Sequence, residues 1–425
     1  LTLSGGSAVE GGGSTHSEGT LVLDTIVVHG NRTTGVDSGG GAIANLGGSL
    51  TIFGSHFYDN AAGYTGGAIL QSDGVTVIAD SVIDGNSAPV FGAIDSTGDL
   101  TIRNTMLRGN RATAGDGGAV GVVAGTARIE ASLIEGNFAG GGGGGVYSSP
   151  NYPGTTVTIR DTRITQNEAD ANFAGGLGGG ILSGAGLTLE RVTLVENSAY
   201  NAGGLFQYGD EGLLIVRDSL VHNNTAFQSG GGLMLGGALG HTFTNVTISG
   251  NSAGDWAGGL YVPDYPATLR HVTIYGNSAP LGANVYTLRT TVTFASTILD
   301  NPQGGGENCA VQDAAQPAIS DGYNVSSDAS CSLNHAGDLS ATDPLLGALA
   351  DNGGPTLSHL PQPGSPAIDR APLAGCPAAD QRGFTRPGGA ACDSGAVEVD
   401  GQLITVEPVA PVDNASHVTT GNGAY

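Results

Sequence analysis

Val246-Thr-Ile-Ser-Gly-Asn-Ser-Ala253 returns along the chain as Val272-Thr-Ile-Tyr-Gly-Asn-Ser-Ala279, as Ser81-Val-Ile-Asp-Gly-Asn-Ser-Ala88 and, more loosely, as Ser219-Leu-Val-His-Asn-Asn-Thr-Ala226. Aligning the copies gives a column of asparagines: Asn31, Asn60, Asn86, Asn110, Asn137, Asn167, Asn197, Asn224, Asn251, Asn277 and Asn301. Their spacings run from 24 to 30 residues, a period of about 27. A period in that range is the signature of a solenoid or an array.

Counting back from each Asn exposes the coil. Three positions before it stand Val28, Phe57, Ile83, Leu107, Ile134, Ile164, Leu194, Val221, Ile248, Ile274 and Ile298, all apolar. Eight before stand Leu23, Ile52, Ile78, Ile102, Ile129, Ile159, Leu189, Val216, Phe243 and Leu269, with Thr293 the one departure. Inward residues of a strand lie two apart, so the odd step between these columns flips the phase and marks a corner. After the Asn and a glycine pair comes a third inward column, from Ile43, Ile69 and Ile94 to Leu260 and Val285. Three short strands per period without a helical pattern predict an all-β fold. It is a single-stranded parallel β-helix of three sheets and about eleven rungs, right-handed by the crossover rule, over residues 1–301. At a strand spacing of ~4.8 Å this is a rod roughly 50 Å long. The asparagines are expected to form an amide ladder at one corner, satisfying buried polar groups and fixing register. Leu1-Thr-Leu3 reads as the tail of a rung already in progress, with no polar cap before it.

The residue after the third inward position forms a column of its own: Tyr147, Leu182, Phe206, Met234, Tyr261 and Tyr286 on consecutive rungs. By alternation it faces outward, which predicts an apolar stripe and hence a contact surface. It could be covered by the C-terminal segment, by another subunit or by a glycan stacked on the tyrosines.

Beyond Asn301 the repeat stops. Residues 302–400 are rich in Pro and turns and hold all four cysteines: Cys309, Cys331, Cys376 and Cys392. Three pairings are possible, and joining sequence neighbours is the simplest. With no Cys-x-x-Cys spacing, disulfides and an oxidising compartment are expected rather than a metal site. Three blocks stand here in order: Asp343-Pro-Leu-Leu-Gly-Ala-Leu-Ala-Asp-Asn-Gly-Gly-Pro-Thr356, Pro363-Gly-Ser-Pro-Ala-Ile-Asp369 and Cys376…Asp380-Gln-Arg-Gly383…Arg386-Pro…Cys392-Asp-Ser-Gly-Ala396. Over roughly residues 305–399 they resemble the choice-of-anchor Q domain, which follows β-helices of this kind in bacterial secreted proteins. The resemblance implies export and surface attachment, and it does not imply an enzymatic activity. No recognisable sorting signal follows. Residues 401–425 open with Gln402-Leu-Ile-Thr-Val406, a predicted strand, and close in a polar tail.

Composition narrows the function. The 425 residues carry a formal net charge of -24, and all 14 basic residues are arginines. An acidic chain without a basic patch is a poor partner for nucleic acid. No apolar run reaches transmembrane length. The chain opens on Leu1 rather than Met, which predicts a processed form that has lost its targeting segment. Lyase chemistry on such a coil wants a Lys or Arg base beside several acids, and hydrolysis wants paired carboxylates on one face. No outer column gathers either set, so no catalytic residue and no cofactor are expected. The histidines fall in different columns, which removes a zinc site. Calcium at loop carboxylates such as Asp116, Asp210 or Asp255 is the one metal option. The reading is an extracellular or cell-surface structural protein that self-assembles head to tail through its first rung and C-terminal segment. The alternatives are a carbohydrate-active enzyme and an adhesin for cell-surface glycans.

Overall fold

In a computed structural model, which describes residues 1–404 apart from 10, 14, 171–174, 211, 238–239 and 314–317, the repeat winds into a parallel β-solenoid of about eleven turns. No helix occurs among the described residues. The inward columns pair in the expected register: Ile52 on Ile78, Ile78 on Ile102, Phe57 on Ile83, Ile83 on Leu107, Ile43 on Ile69. All of them are fully buried in one continuous core. Each large aliphatic residue so placed contributes about 1.5–3 kcal/mol of burial, repeated on every rung.

Besides the three expected strands, a rung holds a fourth, two residues long, just after the Asn. Ser87–Ala88, Arg111–Ala112, Phe138–Ala139 and Glu168–Ala169 make this narrow ladder. Its alanines are buried, which explains the recurring small residue at the end of Gly-Asn-Ser-Ala. Thr2–Ser4 is a strand of the coil, paired in parallel with Val27–His29.

The corners are left-handed. Six positions before the ladder Asn the backbone turns through positive φ at Asp80, Asn104, Ala131, Asp161 and Arg191. It does so again at the residue directly before the Asn, where Gly85, Gly109 and Gly136 supply the φ of +60 to +63°. Glycine is cheapest there because it has no Cβ to clash with the carbonyl. The ladder Asn itself needs no left-handed freedom; its role is hydrogen bonding.

That role is explicit in the geometry. Asn110 Nδ2 donates to Asn137 Oδ1 at 3.0 Å, and Asn137 Nδ2 to Asn167 Oδ1 at 2.8 Å. Each Oδ1 also accepts the backbone N–H of the preceding ladder Asn, as from Asn110 N to Asn137 at 2.9 Å. The second Nδ2 hydrogen goes to a strand carbonyl, such as Leu107 O at 3.1 Å. Every polar atom of the buried amide is thus used. A parallel hydroxyl ladder, not foreseen, runs along the other corner. Ser55 N donates to Ser81 Oγ at 3.1 Å, Thr105 N to Ser132 Oγ at 3.2 Å, and Ser132 N to Thr162 Oγ1 at 3.3 Å.

The eleventh member of the Asn column is a correction. Asn301 is exposed at φ 52° and occupies the left-handed corner instead. The ladder passes from Asn277 to Asn284 at 2.8 Å and on to Asn308 at 2.6 Å, two asparagines that open the third strand. The last rung has slipped by one residue: Phe294 lies on Leu269 and Leu299 on Ile274. Thr293, the single polar member of its column, was the trace of that slip. The coil also runs past residue 301. Cys309–Val311, Ile319–Ser320 and Val325–Ser326 extend its ladders.

Cys309 is bonded to Cys331 and Cys376 to Cys392, the neighbouring pairs. The first disulfide is buried within the main core and closes its C-terminal end. Of the expected 401–425 element, Leu403 bridges Phe384 antiparallel, while residues 405–425 lie outside the described residues.

Candidate functional site

The apolar stripe is built, but it is not open. Leu182, Tyr261 and Tyr286 are only 5, 5 and 6 % exposed, and Tyr147, Phe206 and Met234 are half-buried. Residues of the loops just before and just after the third strand fold over them. Trp256 stacks on Tyr286 at 5.9 Å and 12°, Phe91 packs on Tyr147 at 5.6 Å, and Tyr208 on Phe206 at 5.8 Å. Alternation placed the column correctly on the outer face, but it says nothing about neighbours on a different turn. Its C-terminal part, Met234, Tyr261 and Tyr286 with Trp256, is a satellite core.

The C-terminal segment does fold back onto the coil, on another face. It covers the outward side of the strand that precedes the Asn corner, over the last three rungs. Asn245 Nδ2 donates to Ala379 O at 2.8 Å and Thr247 Oγ1 to Gln381 Oε1 at 2.6 Å. Ser249 Oγ meets His359 Nε2 at 2.9 Å, and Ala396 N donates to Thr273 Oγ1 at 3.0 Å. The outward positions of this strand advertise the difference. Asp84, Arg108 and Glu135 occupy one row on the early rungs, whereas Ser249 and Tyr275 occupy it where the segment docks. Charge disappears where water is excluded.

Behind this seam lies a dense ionic network. Arg386 and Glu398 have side chains with 0 % exposure and pair at 3.0 Å. Arg386 also donates to Asp393 O at 2.9 Å and Gly395 O at 2.7 Å. Glu398 accepts from Gly388 N at 2.7 Å and Asp393 N at 2.9 Å. Arg382 clasps Asp380 through Nε and Nη2 at 2.9 and 2.8 Å. The Asp380-Gln-Arg-Gly383 and Arg386-Pro block is therefore the structural lock of the segment, and its charged groups are consumed by one another.

Two histidines hold the seam in their neutral form. His271 lies under Arg386 Nη1 at 3.2 Å, and burial, then the Arg386 charge, pushes its pKa down to about 3. His359 is also lowered by burial, with Nδ1 against Gly347 O at 2.8 Å and its ring on Tyr275. The unfolded chain takes up the His271 proton near pH 6.5 while the folded chain resists it down to about 3. Stability at this position is therefore complete above the unfolded pKa and drains away as pH falls from about 6.5 towards 3. Asp95, raised to about 6 by burial, has the opposite sign, favouring the fold below that pH. Substituting His271→Asn, a residue that accepts the local φ of 50°, isolates the first effect. The variant is expected to melt with a shallower loss between pH 7 and pH 4 than the parent; parallel melting curves against pH would contradict this.

Ser249 and His359 have the spacing of a nucleophile and its base, yet both are buried, and a backbone carbonyl rather than a carboxylate orients the ring. The seam also borders two clefts. One, of about 740 Å³, is lined by Tyr275, Asp300, Asn301, Asp343 and Gln362. The other, of about 440 Å³, lies between Arg163, Glu196 and His222 of the coil and residues 351–357. No group of three or more His, Cys, Asp or Glu able to hold a metal ion occurs among the described residues. Of the candidate calcium carboxylates, Asp116 accepts Gly142 N at 2.6 Å, and Asp210 and Asp255 are exposed. Compared with family models and with curated proteins, the chain matches none.

Proposed function

We propose that this protein is a non-catalytic extracellular rod, a surface structural protein whose C-terminal segment locks one end of the coil. The observation that supports it most is the fate of the reactive side chains. Where the fold gathers arginines, carboxylates, a serine and histidines together, it buries them at the seam and pairs them with each other. The two disulfides fit an oxidising compartment, and among the described residues no helix is long and apolar enough to cross a membrane. The resemblance of residues 305–399 to choice-of-anchor Q domains points the same way, towards a bacterial secreted protein. Head-to-tail assembly gains no support here, because the tail it invokes falls on residues 405–425.

Fractionating the cells that make the protein tests this reading. It is expected in the surface or medium fraction with both disulfides formed; a reduced protein in the cytoplasm would overturn it. A carbohydrate-active enzyme is the second reading, favoured by the larger cleft. There Asp300, its pKa raised by burial, shares a wall with Asp343, Tyr275 and Gln362. Two carboxyls in one cleft are the parts glycoside hydrolysis uses. Release of reducing ends from a polysaccharide, abolished by Asp300→Asn, would establish this reading instead.

A further inference from the structure

On the narrow ladder, Ser198–Asn201 lies against Thr225–Ser229, with Ser198 opposite Thr225 and Ala199 opposite Ala226. Tyr200 and Phe227 follow, and the pairing resumes at Asn201 and Ser229, leaving Gln228 as an extra residue. The two rings stack at 5.2 Å and 27° on the outside of the coil. Phe227 is 66 % exposed, more than any other aromatic side chain among the described residues. On the next rung the facing position is Gly254, where a Cβ would sit 2.2 Å from Phe227 O. The coil geometry therefore keeps the far side of Phe227 free of a covering side chain. The rings of the predicted stripe are folded under neighbouring side chains, whereas Phe227 is left in water beside the half-buried Tyr200.

We propose that Tyr200 and Phe227 form a platform for an uncharged glycan chain, which rests on the extracellular reading above. A benzene-type face in water gains by covering the C–H face of a pyranose. The surroundings offer hydrogen bonds suited to hydroxyl groups. Thr225 Oγ1 and Ser252 Oγ lie 3.4 Å apart beside the rings. Asp255, exposed on the next rung, is anchored by its N–H to Gln228 O at 2.8 Å. No Lys or Arg occurs in 198–201, 225–229 or 252–256. With Asp255 at the rim and a net charge of -24, an acidic polysaccharide is repelled and a neutral one is not. Rungs repeat every ~4.8 Å, so successive sugars can lie over successive rungs along the coil axis.

Affinity electrophoresis through gels containing xylan, mannan, soluble cellulose or amylose, with polygalacturonate as the acidic control, tests the platform. The parent is expected to be retarded by at least one neutral polymer and not by polygalacturonate. Phe227→Ala and Tyr200→Ala are expected to weaken retardation about tenfold or more, Phe227→Tyr to preserve it, and all three to melt as the parent does, since the side chains are outside the core. Failure of every neutral polymer to retard the parent, or undiminished retardation of Phe227→Ala, would overturn the platform. Either result from a protein found at the cell surface overturns the platform alone, whereas cytoplasmic location overturns the reading on which it rests.

Discussion

Arg386→Met is expected to cost roughly 3–5 kcal/mol and to free the C-terminal segment from the coil. The substitution leaves Glu398 with a buried carboxylate whose counter-charge has gone, leaves Gly395 O without its Arg386 donor, and leaves Asp393 O with His271 Nδ1 alone. The pair itself need not be stabilising relative to an apolar isostere; the cost lies in breaking one half of it. The double variant Arg386→Met with Glu398→Gln is therefore expected to recover part of the loss. Gln removes the charge and retains an acceptor for one of Gly388 N and Asp393 N, which Glu398 serves with separate oxygens, so the recovery is partial. Denaturant unfolding gives the sizes, and limited proteolysis gives the place. Cleavage is expected first within 343–400, because the repeats that build most of the core do not depend on this contact. A single variant as stable as the parent would show that the charge is neutralised or solvated in place.

The coil was legible because its information is repeated. A column of eleven apolar residues three before an Asn leaves one phase for the strand, and a one-residue slip turns every core residue outward. The slip that does occur, at Phe294 and Leu299, falls where the repeat fades and only Thr293 signals it. The seam was far less legible. Thr247, Ser249 and Thr273 are unremarkable outward residues by alternation, and their partners Gln381, His359 and Ala396 lie 110 to 134 residues away. The resemblance located the partner blocks without saying which face they cover. The contrast between charged Asp84, Arg108 and Glu135 and uncharged Ser249 and Tyr275 was the physical cue available in the sequence. For the stripe, period-two logic gave the face but not the covering. Trp256 and Phe91 belong to turns, whose side-chain directions alternation does not describe. The half-buried Tyr200 and exposed Phe227 escaped because the narrow ladder is two residues long on most rungs, and its extension to Ser198–Asn201 and Thr225–Ser229 leaves no repeated pattern.

Asn137→Ala is expected to destabilise the rod by about 2–5 kcal/mol, while Asn301→Gly changes it by less than about 0.5 kcal/mol. Both residues stand in the same sequence column, so the contrast tests the ladder rather than the amino acid. Removing the Asn137 amide orphans the buried N–H of Asn110, takes one of two acceptors from Asn110 Nδ2, removes the side-chain donor to Leu107 O, and leaves Asn167 Oδ1 with the backbone N–H of residue 137 alone. Each unmet buried group costs about 1–3 kcal/mol, and water is not at hand to replace the partner. Asn301 is exposed and bonds within its own loop to Gln303. Its φ of 52° suits glycine, so that substitution removes a side chain without straining the corner. Asn137→Asp should not rescue the ladder. It keeps an acceptor for Asn110 but sets a second oxygen against Asn167 Oδ1, where Nδ2 now donates at 2.8 Å. Because rungs are stabilised chiefly by their neighbours, a break in the middle weakens the coupling of the halves on either side. The Asn137→Ala variant is accordingly expected to lose cooperativity, its unfolding spreading over a wider range of denaturant. Equal effects of Asn137→Ala and Asn301→Gly would mean that register is held by the apolar columns alone.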